Sequence, residues 1–185
     1  MSVPGKRFAT YEDLCQVPDH LVAQIIHGQL ITLPRPAPRH ASATSALGGS
    51  LFPPMDSGDD GPGGWWILDE PELHLGPNIL VPDLSGWRRE RMPALPETAY
   101  FTVVPDWVCE VLSPSTAQLD RIDKLGIYAS NAVGYAWLID PNARSLEVLV
   151  LCEGRWRLEC AFKENDEVCA PPFEAVLFGL NKLWA

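Results

Sequence analysis

Between Pro105 and Pro114 the chain reads Asp-Trp-Val-Cys-Glu-Val-Leu-Ser, and from Trp107 to Leu112 the only polar side chain with a charge is Glu110. A strand that is apolar on both faces belongs in the interior of a sheet covered on both sides. That requirement points to layers of helix and strand packed about a central sheet. Alternation sets Glu110 on one face with Val108 and Leu112. An ionised carboxylate among such neighbours is costly unless a cation, a metal ion or hydrogen-bond donors compensate.

The remaining patterning supplies partners for that strand. Thr10-x-x-Asp13 has the form of a capping box, so a short helix is expected from Tyr11, ended by Pro18. Leu21 to Leu33 reads as two strands about a turn at His27-Gly28. After Pro34, Pro36 and Pro38 a helix is expected from about Arg39 to Leu51, weakened by Gly48-Gly49. Residues 53–64, rich in Pro, Gly and Asp, read as a flexible surface loop. Strands are expected at 65–68, 72–75 and 79–84, a helix over 115–130, then strands at 135–139, 145–151 and 155–160. The 185 residues suit one domain, 1–185, with a loose tail over 1–8. Few helices beside a central sheet make the fold α/β or α+β.

Composition narrows the function. No stretch approaches the ~20 apolar residues that span a membrane, and residues 1–8 lack the apolar segment of a signal peptide. Five cysteines, an odd number without a Cys-x-x-Cys pair, argue against a disulfide framework or zinc site and for a reducing, cytoplasmic setting. The net charge of −10 is the wrong sign for a protein that coats nucleic acid. Residues 41–87 hold seven acids and no Lys or Arg, so Arg88, Arg89 and Arg91 are the local basic cluster through which a nucleic acid would be met. Motifs of serine hydrolases, P-loop enzymes, dinucleotide-binding domains and zincins are absent from the sequence.

The candidate chemistry lies in acids. Pro82-Asp83 closes the apolar run Ile79-Leu80-Val81, with Val81 and Asp83 on one strand face. Asp83 and Glu110 on neighbouring strands could hold Mg²⁺ or Mn²⁺, which take oxygen ligands and keep several waters. Alternatively, Arg or backbone donors satisfy each carboxylate with no metal involved. Lys124 follows Asp120 by four residues on the expected helix. Its ammonium could steady a water or a phosphate oxygen, or the two could form a surface pair worth ~0.3–0.5 kcal/mol. The expected inward stripe of that helix is Leu119, Ile122, Leu125 and Ala129, while Ala117, Ile127 and Tyr128 lie beside Asp120 and Lys124. Trp65, Trp66 and Trp87 are placed either to stack on a nucleic acid or to fill a core or dimer interface.

The block Pro105-Asp-Trp-Val-Cys-Glu-Val-Leu-Ser-Pro-Ser-Thr116 resembles the Uma-type "putative restriction endonuclease" family, a branch of the PD-(D/E)XK nuclease superfamily. The resemblance continues through Asp120, Lys124, Tyr128 and Gly134 to Pro141, and includes Val81-Pro-Asp83, Pro38-Arg-His40 and Leu180 to Ala185. It implies a restriction-endonuclease-like mixed central β-sheet flanked by helices, and a divalent-metal phosphodiesterase centre. By position, Asp83 and Glu110 stand for the two motif acids and metal ligands. Leu112 stands where the superfamily has its lysine, so Lys124 resembles a displaced substitute, oriented by Asp120. His40 is a supporting candidate or a helix-start histidine, and Glu72 a further acid or a solvent-facing strand residue. Many relatives carry acids where this chain has Gln24, His27 and Gln29. Two functions follow: a Mg²⁺- or Mn²⁺-dependent endonuclease acting on nucleic acid, DNA before RNA, and a nuclease-fold domain retained for binding or assembly. A homodimer is expected, since one acidic module offers little surface for gripping a duplex.

Overall fold

A computed structural model describes residues 7–184. The expected loose tail thus lies outside the described residues apart from Arg7 and Phe8. Arg7 is tied to Asp13 at 3.0 Å. Helix α1 (Tyr11–Cys15) starts at the capping box, where the Asp13 carboxylate accepts from the Thr10 N–H at 2.8 Å. Strands β1 (Leu21–Ile26) and β2 (Gln29–Pro34) form the expected hairpin, with Ile26 opposite Gln29. Its turn needs two residues of positive φ, supplied by His27 at 51° and Gly28 at 74°. Phe8 packs so closely over Gly28 that a Cβ there would clash with its ring.

Helix α2 (Pro38–Leu51) buries Ala43, Leu47 and Leu51 at four-residue spacing. It continues into a π-helical turn (Phe52–Ser57) that ends on Gly58 with φ of 80°. The first part of the expected 53–64 loop is therefore ordered structure. Met55 enters the core, and Asp56 accepts from the Ile67 N–H at 2.7 Å. Proline and glycine marked a chain reversal correctly, but those tertiary contacts fix its shape.

Next come β3 (Trp65–Asp69), β4 (Leu73–Leu75), β5 (Asn78–Leu80), β6 (Leu84–Arg88) and β7 (Trp107–Val111). The strand expected over 79–84 is thus two strands in different sheets. Pro82 has no N–H to give a ladder, and the Val81 N–H is taken by the Gln24 side chain at 2.9 Å. The chain bends there and crosses from one sheet to the other. A second π-helical turn (Leu119–Lys124) leads into α3 (Leu125–Ser130). Then follow β8 (Tyr135–Asp140), β9 (Ser145–Cys152), β10 (Arg155–Lys163), the short β11 (Glu167–Val168) and β12 (Phe178–Gly179), and a 3₁₀ turn over Leu180–Leu183.

The strands make a mixed six-stranded sheet, ordered β10-β9-β8-β7-β6-β3, and a four-stranded sheet, ordered β2-β1-β5-β4. In the larger sheet β7 runs parallel to β8 and the other pairs are antiparallel. As expected, β7 is interior and covered on both faces. Trp107, Cys109 and Val111 face a core built with α2 and the C-terminal segment. Val108 and Leu112 face a second core shared with α3 and the smaller sheet. This mixed sheet flanked by helices is the fold that the sequence implied. The tryptophans follow their core reading: Trp65 meets Phe173 edge-on at 5.0 Å, and Trp87 stacks on Phe101 at 4.7 Å. Among the described residues no helix is long and apolar enough to cross a membrane.

Candidate active site

Asp83 stands at the crossing between the two sheets. β6 opens with Leu84 opposite Cys109 of β7, so one further step of the antiparallel register sets Asp83 level with Glu110. Residues facing each other in that way share a side of the pair. Asp83 also supplies the ladder contact that β6 no longer makes, because its Oδ2 accepts from the Val111 N–H at 2.6 Å. Its Oδ1 lies 3.3 Å from His40 Nε2, brought in by the first turn of α2.

Glu110 is 2% exposed in the middle of β7, yet every oxygen of its carboxylate has a donor. Lys124 Nζ donates to Oε2 at 2.8 Å and the Tyr128 hydroxyl donates to Oε1 at 2.6 Å. The ammonium also lies 3.2 Å from Asp120 and 3.3 Å from the Val81 carbonyl. Its three N–H groups thus meet three acceptors. The second π-helical turn produces this arrangement. A π turn carries an extra residue and rotates the faces that follow it. Asp120, Lys124, Ile127 and Tyr128 are consequently buried, whereas Ile122, expected on the inward stripe, is 63% exposed.

A cavity of about 310 Å³ opens over this cluster, lined by Gln24, His40, Asp83, Glu110, Asp120 and Lys124 among others. Three acids of the cluster, Asp83, Glu110 and Asp120, face the Lys124 ammonium and the His40 imidazole, while Arg35 and Glu70 pair with each other at the cavity wall. Burial pushes the Glu110 carboxyl up to about 8, with Lys124 opposing the rise and Asp120 and Asp83 adding to it. Burial would lower Lys124, but Glu110, Asp120 and Asp83 hold it above its ordinary value. For His40 the hydrogen bond and charge of Asp83 outweigh burial, so the imidazole is raised.

Carboxylate oxygens are the hard ligands that suit Mg²⁺ or Mn²⁺, which need only one or two protein carboxylates. Asp83 and Glu110 could offer oxygens to such an ion, in exchange for the partners they have now. Among the described residues no group of three or more His, Cys, Asp and Glu side chains is arranged to hold a metal.

The structure brings Asp83, Glu110, Lys124, Asp120 and His40 to one cavity. Glu72 does not line it. Its carboxylate is drawn 2.7 Å from His74 Nε2 and borders a neighbouring cavity. Nor do Arg88, Arg89 and Arg91 form a free basic cluster, because local partners hold each of them. Arg88 lies over Trp65 at 4.6 Å. Arg89 bonds Asp56 at 2.8 Å and lies over Trp66 at 3.9 Å. Arg91 bonds Asp106 at 2.8 Å. Three participants had no assigned place in the site beforehand: the Tyr128 hydroxyl, the Val81 carbonyl and Glu70 at the cavity wall. For Tyr128 the sequence carries two signals, its spacing four residues after Lys124 and its place in the family-like block.

The family described as Uma2, "putative restriction endonuclease", matches this chain over residues 8–180. Comparison with curated proteins finds no match. Among solved structures the chain is similar to the crystal structure of a "putative nuclease belonging to DUF820" from Anabaena variabilis. The TM-score is 0.72 at 21% identity, covering 95% of this chain and 97% of that one. At that identity the likeness is one of fold.

Proposed function

The chain belongs to the Uma2 family, and from that premise we propose that Asp83, Glu110 and Lys124 form a centre hydrolysing nucleic-acid phosphodiester bonds with Mg²⁺ or Mn²⁺. The observation that carries this reading is the convergence of Asp83, from the crossing between the two sheets, and Glu110, from β7, on one cavity that also holds the Lys124 ammonium. Asp83 and Glu110 would hold the cation, which when bound supplies positive charge against a phosphate under attack.

The surrounding side chains have definable tasks. His40 steadies the Asp83 oxygen that the backbone leaves unbonded. Tyr128 fixes the rotamer of Glu110, and Asp120 draws the ammonium to the cavity wall. To reach a phosphate oxygen, Lys124 must exchange one acceptor. The neutral Val81 carbonyl at 3.3 Å is the easiest to give up. DNA is the favoured substrate and a homodimer the favoured assembly within this proposal, the latter checked by sedimentation.

Calorimetric titration with Mn²⁺, wild type beside Asp83→Ala, tests the centre together with cleavage of DNA and RNA. Uptake of the ion at millimolar concentration and cutting, both lost in Asp83→Ala, are expected. Wild-type protein that takes up no divalent ion at that concentration would sink the proposal.

Two observations favour a second reading, a nuclease fold kept for binding. Both oxygens of Glu110 are satisfied without a metal ion, by Lys124 and Tyr128, and Gln24 contributes a neutral amide to the cavity wall where an acid would strengthen cation binding. On that reading Asp83→Ala leaves nucleic-acid binding intact and no metal is taken up.

A further inference from the structure

We propose that the substrate of this centre is a single nucleic-acid strand, held along a cleft that continues past the catalytic cavity, and not a duplex. The inference rests on the phosphodiesterase reading above and specifies its substrate.

The first argument is access. Glu110, Asp120 and Lys124 are 2%, 3% and 3% exposed, so a phosphate has to descend to them. A cavity of about 310 Å³ admits one backbone segment. The stiff paired backbones of a duplex cannot fold into such a space.

The second argument is continuity. A neighbouring cavity of about 510 Å³ runs under α1 and shares Val22, Arg35, Glu70 and Val81 with the first. Arg35 stands at their junction. Its Nη1 is 3.1 Å from Glu70 and its Nη2 donates to the Asp19 carbonyl at 2.9 Å. Those bonds fix the guanidinium while leaving other donors of its fork for a phosphate.

The third argument is the chemistry of the second cavity's wall. Tyr11 lines it, braced edge-on against His74 at 4.9 Å and Tyr100 at 5.8 Å. His74 itself stacks on Tyr100 at 4.0 Å. Beside Tyr11 stands Glu72, whose Oε1 is held by His74 at 2.7 Å, so that its other oxygen is the acceptor left for the amino group of a base. An aromatic side chain with a hydrogen-bond acceptor beside it suits an unpaired base, whose faces and edges are open, and not a stacked pair.

The fourth argument is charge. Duplex binders neutralise many phosphates at once with rows of Lys and Arg. Among the described residues lining the two cavities, Arg35 and Lys124 are the Lys or Arg side chains present. Arg35 is itself paired with Glu70, as Arg89, Arg91 and Arg121 are with Asp56, Asp106 and Glu147, so only the remaining donors of Arg35 are on offer. One or two phosphates of a strand can be met by this set.

The test uses the whole chain with Mn²⁺ and four probes: a short labelled DNA strand, the RNA strand of the same sequence, the DNA duplex, and bis(4-nitrophenyl) phosphate. Binding is read by fluorescence anisotropy and turnover by gel and absorbance. A strand bound and cut about tenfold or more better than the duplex is expected, with Tyr11→Ala weakening strand binding roughly fivefold or more. A duplex that equals or beats both strands overturns the inference and leaves the phosphodiesterase reading standing. So does Asp83-dependent turnover of the small diester with no oligonucleotide bound, or strand binding unchanged in both Tyr11→Ala and Arg35→Ala. No turnover of any probe overturns both.

Discussion

Lys124 is the residue on which the buried cluster depends. It compensates Glu110 directly, and an unpaired carboxylate in that position would face an apolar core. Lys124→Met is therefore expected to cost about 3–5 kcal/mol in urea unfolding at a pH above about 8, where Glu110 is ionised, and less where it holds its proton. Adding Glu110→Gln to it should recover most of the loss; no recovery would mean that the pair is not the source. Glu110 also links stability to pH. A carboxyl whose folded value lies above its unfolded one holds its proton more tightly in the fold. Its contribution is complete below the ordinary carboxylate range and is lost as pH climbs towards about 8. The unfolding midpoint should fall through that window. Asp120→Asn removes one charge that raises Glu110, so the window should move to lower pH, which unfolding at a series of pH values checks. The sequence pointed to Asp83, Glu110 and Lys124 because acids in apolar runs and a helical lysine are visible as residue types. It could not show Tyr128 as a partner of Glu110, since a tyrosine at that spacing reads equally well as core. Glu72 went the other way: His74, two residues on, captures its carboxylate.

At the level of elements, local signals were legible and choices made by packing were not. The capping box, the His27-Gly28 hairpin and the interior strand β7 each announce themselves within a few residues. The division of 79–84 between two sheets does not, because Ile79, Leu80 and Leu84 are apolar on either side of the break and alternation runs straight through it. The π-helical turn over Leu119–Lys124 was hidden for a related reason. An α-helical phase buries Ile122, and the observed one exposes it. Ile122→Lys separates the two. The observed phase predicts a change within about 0.5 kcal/mol, as for other surface substitutions, whereas a buried position would lose several times that in the same urea experiment.

For the whole molecule, cation binding and folding should be linked. An ion that binds the folded chain alone stabilises it by about 2.7 kcal/mol at a hundred times its Kd. Mn²⁺ is expected to raise the melting temperature of the wild type in a concentration-dependent way and to leave Asp83→Ala unmoved. An equal rise in both proteins would place the ion elsewhere. The tie between Lys124 and the Val81 carbonyl has a longer reach than its 3.3 Å suggests. One side chain on a helical turn grips the interior strand of the large sheet through Glu110 and the linker that leaves the small sheet. A relative with no catalytic activity would still be under pressure to keep this lysine, simply to stay folded. Its persistence is thus a mark of architecture, and a retired copy would first shed the side chains whose only duty is to face the cavity.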